Sequence, residues 1–208
     1  GHQVVLFEKS DSLGGRVKLE SSLPGKKELA GTIRYLTYVL NRLKVDIRLN
    51  KETTEADVLA EKPDIVIIAT GANRLNSPGT YSIEDVLNNK VKGENVLVMD
   101  YDAGLEGTGA VEYLASLGKT VHWVTAVFFN GQDNEVSTVL LPIYGRLGTK
   151  KVITHPMLVM VKFDNGQATL LNPYFNRTET LRGIEAVVVT GLKAANNALY
   201  AGLRGKVD

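Results

Sequence analysis

Asn95-Val-Leu-Val-Met-Asp100, Tyr101-Asp-Ala-Gly-Leu-Glu-Gly107, Thr108-Gly-Ala-Val-Glu-Tyr-Leu-Ala-Ser-Leu117 and Gly118-Lys-Thr-Val-His-Trp-Val-Thr125 form one continuous stretch whose reading decides the fold. An apolar run of strand length ends in an acid, passes through a glycine-rich loop and enters a helical pattern over Thr108–Leu117. Gly118 is placed to stop that helix, and Thr120–Thr125 reads as a second strand. Strand, loop, helix and strand in that order make a βαβ unit, which sets its two strands parallel.

Working toward the N-terminus, Asp64-Ile-Val-Ile-Ile-Ala69 reads as a fully buried strand ending in Thr70-Gly71. Thr54-Glu-Ala-Asp57 has the spacing of a capping box that opens a short helix. Val45–Leu49 alternates as a strand does, and Leu29–Leu43 carries apolar residues at helical spacing (Ile33, Leu36, Val39, Leu40, Leu43). Val4–Phe7 reads as a buried strand with no turn before it, so the sequence is expected to be truncated there. Asn73–Thr80 is polar and marks a boundary, after which Ser82-Ile-Glu-Asp85 caps another helix. Toward the C-terminus a helix is expected over Val136–Leu147. A hairpin follows (Leu158–Phe163, Gln167–Leu171), turned through Asn165-Gly166, and Ile184–Thr190 reads as a last buried strand. The fold class expected is α/β: two interleaved Rossmann-like domains of the FAD/NAD(P)-binding type, with mostly parallel sheets and the first domain incomplete. The first would comprise 1–72 and 191–208, 73–92 would connect, and 93–190 would be the second.

Composition narrows the chemistry. The 208 residues carry 24 basic and 23 acidic side chains, a net charge of +1 with no basic stripe, so no nucleic-acid partner is expected. Cysteine is absent, which excludes disulfides, thiolate nucleophiles and cysteine-ligated iron–sulfur or zinc sites within the chain. His2, His122 and His155 lack metal-ligand spacing, so neither a metal site nor a catalytic residue is expected here. No apolar run approaches the ~20 residues that cross a bilayer, and no signal peptide opens the chain, so no membrane partner and a cytoplasmic location are expected.

Three motifs carry a resemblance: Phe7-Glu8-Lys9 followed by Leu13-Gly14-Gly15-Arg16; Leu23-Pro-Gly-Lys-Lys-Glu-Leu29 leading into Ile33-Arg34-Tyr35; and Asp64–Gly71. Together they resemble the C-terminal dinucleotide-binding domains of the trimethylamine dehydrogenase and 2,4-dienoyl-CoA reductase family. In that family an old-yellow-enzyme-like barrel is joined to a pair of dinucleotide folds. The resemblance implies FAD or ADP in the first domain, held by Glu8, Lys9, Gly14, Gly15, Arg16, Thr70 and Gly71. Glu8 ends a strand where a carboxylate accepts ribose hydroxyls, and the two glycines permit close backbone approach. Arg16 reads equally as a phosphate or flavin neighbour and as a surface arginine. The resemblance places FMN, an iron–sulfur cluster and the barrel outside this chain. It also implies an electron-transfer protein as partner, and the chain is expected to form a homo-oligomer.

The Asp100–Gly109 loop departs from a working nicotinamide site. Such a site has glycine directly after the strand, whereas here Asp100, Tyr101, Asp102 and Glu106 intervene. The acids are expected to repel a pyrophosphate, and Thr125 offers neither the carboxylate that reads NAD nor the arginine that pairs with NADP. The loop looks more like the trimethylamine dehydrogenase branch, in which the second fold is vestigial. The expected function is that of a nucleotide-binding and electron-partner module of a flavin-dependent amine or N-methyl-compound dehydrogenase. The alternatives are an NAD(P)H-dependent flavin reductase and a non-catalytic nucleotide-binding module. Trp123 and Phe128-Phe129 are expected to pack against the core or the barrel.

Overall fold

The structure is a computed structural model and describes residues 1–75, 77–135 and 138–207. It divides into two units, Gly1–Arg74 with Lys193–Asp208, and Leu75–Leu192.

The first unit runs β1 (Val5–Phe7), α1 (Gly15–Glu20), α2 (Leu29–Arg42), β2 (Asp46–Arg48), α3 (Glu55–Ala60) and β3 (Ala72–Arg74). β1 pairs with β2 in parallel, Leu6 opposite Ile47. Thr54 caps α3 as its spacing predicts: its hydroxyl accepts from Asp57 N, while the Asp57 carboxylate accepts from Thr54 N. Two expectations fail here. Asp64–Ala69 is not a strand, and Ile65 and Ile67 are 69% and 89% exposed. An apolar run becomes a strand only when a neighbour takes its backbone N–H and C=O groups, and among the described residues no strand pairs with it. Val4 and Val5 are also exposed, so β1 is an edge strand and not a buried one.

The second unit carries the main core. It begins with α4 (Ile83–Leu87), capped by Ser82 with Asp85 as predicted, and continues through β4 (Asn95–Asp100), α5 (Leu105–Ser116) and β5 (Thr120–Thr125). The two strands match the sequence reading, but the helix starts three residues before Thr108. A short 3₁₀ turn (Gln132–Asn134) precedes α6 (Leu140–Leu147), and Val136, where the sequence reading begins that helix, lies outside the described residues. Next come β6 (Val152–His155), β7 (Val159–Asp164), β8 (Gln167–Asn172), β9 (Arg177–Arg182) and β10 (Ala186–Thr190). Back in the first unit, β11 (Lys193–Ala195) pairs antiparallel with β3, and α7 (Ala198–Leu203) follows.

Among the described residues a parallel sheet runs β10-β4-β5-β6, and an antiparallel one runs β7-β8-β9. The β7–β8 turn has Asn165 and Gly166 both at positive φ (47° and 72°), the conformation that Asn-Gly favours and that tight hairpins need. β3, β6, β9, β11, α1, α7 and the 3₁₀ turn are not anticipated by the sequence reading. Strand side chains alternate, so β4 presents Leu97 and Met99 to one face of its sheet and Val96, Val98 and Asp100 to the other. Leu97, Met99, Val124, Val187 and Val189 join Leu158, Ala168, Leu170 and Ile184 in one core, the antiparallel strands covering that face. Trp123 is fully buried, whereas Phe128 is 64% exposed and stacks on Tyr174, so it is surface and not core. Among the described residues no helix is long and apolar enough to cross a membrane.

Candidate functional site

In the first unit the residues singled out from the sequence fall into two groups. Thr70 and Gly71 sit where the chain passes beside its C-terminal segment. Thr70 Oγ1 donates to Asn196 O at 2.9 Å, and Asn196 N donates to Gly71 O at 3.0 Å. With Ile68, Asn196, Asn197 and Tyr200 they line a cleft of about 280 Å³. Gly71 holds φ at 72°, in the left-handed region that favours glycine, with open space where a Cβ would be. Asn196, Asn197 and Tyr200 were not legible as site residues. The one local signal is that they closely follow Thr190-Gly191, the echo of Thr70-Gly71.

Glu8, Lys9, Gly14, Gly15 and Arg16 do not line that cleft. Glu8 follows β1; its N donates to Arg48 O, and its carboxylate accepts from Ser10 N at 2.8 Å. Gly14 and Gly15 turn the chain into α1. A Cβ on Gly14 would lie 2.7 Å from Ile33 Cδ1, so this glycine lets the turn pack on α2. Arg16 Nε donates to Glu20 at 2.9 Å along α1, and Lys9 is exposed.

In the second unit Asp100 and Asp102 close the loop between β4 and α5. Asp100 is fully buried at the end of β4. Its Oδ1 accepts from Ala103 N at 3.0 Å and from Thr190 Oγ1 at 3.3 Å, and its Oδ2 accepts from Trp123 Nε1 at 3.0 Å. Burial pushes the carboxyl up to about 8; the Trp123 bond opposes this, and the neighbouring Asp102 adds to it. Glu106 is buried within α5, and Asp102 Oδ1 accepts from Gly104 N at 3.3 Å. Asp100 and Glu106 are therefore buried, and Asp102 turns onto the backbone of its own loop.

His122 and His155 meet between β5 and β6, Nδ1 to Nε2 at 3.0 Å, with Glu179 Oε1 3.9 Å from His155 Nδ1. Burial lowers both imidazoles, and for His122 the partner His155 adds to this. The rings lie 23° from coplanar with centroids 5.2 Å apart, the geometry of one nitrogen donating along the other's lone pair. Among the described residues no cluster of three or more His, Cys, Asp or Glu is placed to hold a metal ion. A His lowered by folding binds its proton more weakly in the native state. The stability it contributes is thus full above the ordinary histidine range and is lost as pH falls through it. The unfolding midpoint should therefore fall more steeply from pH 7 to pH 5 in the native protein than in the H122Q/H155Q variant. Parallel curves for the two in thermal melts would rule out the pair as the cause.

No profile of an established protein family matches the sequence. N,N-dimethylglycine/sarcosine dehydrogenase of Chromohalobacter salexigens is 34% identical over 233 aligned positions, which take in 100% of this chain and 33% of that protein. The structure of 2-naphthoyl-CoA reductase superposes with a TM-score of 0.82 at 26% identity, over 99% of this chain and 32% of that one. Histamine dehydrogenase from Rhizobium sp. 4-9 shares the fold, with a TM-score of 0.88 at 22% identity, over 99% of this chain and 34% of that one. The chain thus spans about a third of the length of each of these three proteins. It belongs to the trimethylamine dehydrogenase and 2,4-dienoyl-CoA reductase family, and it corresponds to the paired α/β units of that family's members.

Proposed function

We propose that this chain is the nucleotide-binding and electron-partner module of a flavin-dependent dehydrogenase acting on a small amine or N-methyl compound. The observation that carries the reading is the 34% identity along the whole chain to N,N-dimethylglycine/sarcosine dehydrogenase. Substrate oxidation then belongs to the rest of such a protein, where a barrel holds FMN and an iron–sulfur cluster; the absence of cysteine here agrees with that division. An electron-transfer protein and a second copy of the chain are its partners in this reading, and the cytoplasm its location.

The first unit takes the nucleotide, FAD or ADP. Its residues fit the adenosine end of such a group. The half-buried Glu8 carboxylate accepts from Ser10 N and retains lone pairs for ribose hydroxyls. Lys9 and Arg16 supply positive charge for phosphates, Gly14 and Gly15 a compact turn, and Thr70 with the open Gly71 a backbone surface. A bound flavin supplies the electron acceptance; these side chains bind and orient it.

The full-length protein tests the reading. N-methylated amines should bleach its flavin under anaerobic conditions, while NADH and NADPH neither bleach it nor bind saturably below millimolar concentration in calorimetry. The second reading, an NAD(P)H-dependent reductase, is favoured by the likeness to 2-naphthoyl-CoA reductase. Bleaching by NADH with no response to any amine would replace the first reading with the second.

A further inference from the structure

The turn between β4 and α5 packs two carboxyls side by side. Asp100 is fully buried, and the groups that reach it are neutral: Ala103 N and the Thr190 hydroxyl on Oδ1, and Trp123 Nε1 on Oδ2. Among the described residues no ion pair includes it. Its acidic neighbour Asp102, half-buried, is hydrogen-bonded to it. Two glycines allow the packing. A Cβ on Gly107, in the first turn of α5, would lie 2.1 Å from Asp100 Cγ, and one on Gly191, after β10, would lie 2.5 Å from Asp102 N. Around the pair, β5 presents Trp123 with Tyr144 of α6 against its ring, β10 presents Thr190, and the first turn of α5 brings one acid, the buried Glu106. Two carboxyls in contact resist a second negative charge, and the one without water is the one that keeps the proton. Burial accordingly raises Asp100 to about 8, opposed by the Trp123 bond and assisted by Asp102.

We infer that Asp100 and Asp102 form a pH latch: one proton shared between the two carboxyls holds the β4–α5 turn closed, and its loss drives the acids apart and frees the turn. In the folded chain Asp100 keeps a proton that the unfolded chain releases in the ordinary carboxylate range. The stability that the pair contributes is therefore full below that range and is lost as pH rises from there through about 8. The His122–His155 pair acts in the opposite direction, losing stability as pH falls, so the two are separable in one titration.

The sole tryptophan, Trp123, donates to Asp100 and so reports the turn. The closing experiment titrates the 208-residue chain from pH 6.5 to pH 9.5, following Trp123 emission and the infrared carbonyl stretch of a protonated carboxyl. In the native chain that band should be present at pH 6.5 and vanish in one transition near pH 8, with a red shift of Trp123 emission as water enters the turn. Asp100→Asn should show neither change. Asp102→Asn removes the neighbouring charge and keeps a side-chain acceptor, so it should retain the transition and move it to lower pH. In urea, the unfolding constant of the native chain relative to Asp100→Asn should rise about tenfold per pH unit between pH 5 and pH 7. If Asp100→Asn does not fold, the native chain and Asp102→Asn decide the matter. A native chain without the band at pH 6.5 overturns the inference, as does a band that vanishes with no shift in emission. So does a transition that persists in Asp100→Asn or stays in place in Asp102→Asn.

Discussion

Gly107→Ala should destabilise the second unit by about 3 kcal/mol, although alanine is the better helix former by ~1 kcal/mol. The added methyl group would stand 2.1 Å from Asp100 Cγ, so either the carboxylate or the first turn of α5 must move. Moving the carboxyl strains bonds to Ala103 N, Trp123 Nε1 and Thr190 Oγ1, each worth on the order of 1 kcal/mol. The decisive measurement is a double-mutant cycle with Asp100→Ala, followed by urea unfolding through Trp123 fluorescence. With the carboxylate gone, Gly107→Ala should become neutral or slightly stabilising, a coupling of about 3 kcal/mol. A cost that persists unchanged beside Asp100→Ala would show that the methyl group meets something else.

Leu170→Ala should cost about 3 kcal/mol in the same assay. Leu170 is fully buried on β8 and belongs to the core that includes Leu97, Met99 and Val124 of the parallel sheet. Removing its branched end leaves a cavity between two sheets whose backbones are held by their own ladders, so collapse can refill little of it. Val161, on the neighbouring β7, is 54% exposed and serves as the control. Val161→Ala should cost less than about 1 kcal/mol. Equal losses for the two would mean that the antiparallel strands do not cover the parallel sheet as the burial pattern has it.

The βαβ unit was legible because each part has a local cause. β4 is buried along nearly its whole length and reads as an unbroken apolar run, Gly118 takes the left-handed conformation that ends α5, and both capping boxes form at the spacing the sequence shows. Family membership was legible for a related reason: the Phe7-Glu8-Lys9, Leu13-Gly14-Gly15-Arg16 and Asp64–Gly71 motifs lie in one order along a chain whose whole length aligns with the dehydrogenase relative.

Pairing and direction are another matter, since they depend on residues far apart in sequence. Asp64–Ala69 has the composition of a strand, but a strand also needs a neighbour, and composition cannot supply one. Asp100 has the charge of a residue that repels phosphate. What decides its role is Trp123, 23 positions away, and Thr190, 90 positions away, which donate to it and hold the carboxyl buried at the end of its strand. By itself the sequence determined the α/β class, the order of its strongest elements and the family. Only the tertiary structure decided which apolar run lacks a partner, and that Asp100 points inward, because hydrogen-bond partners are chosen by position in space and not by place in the chain.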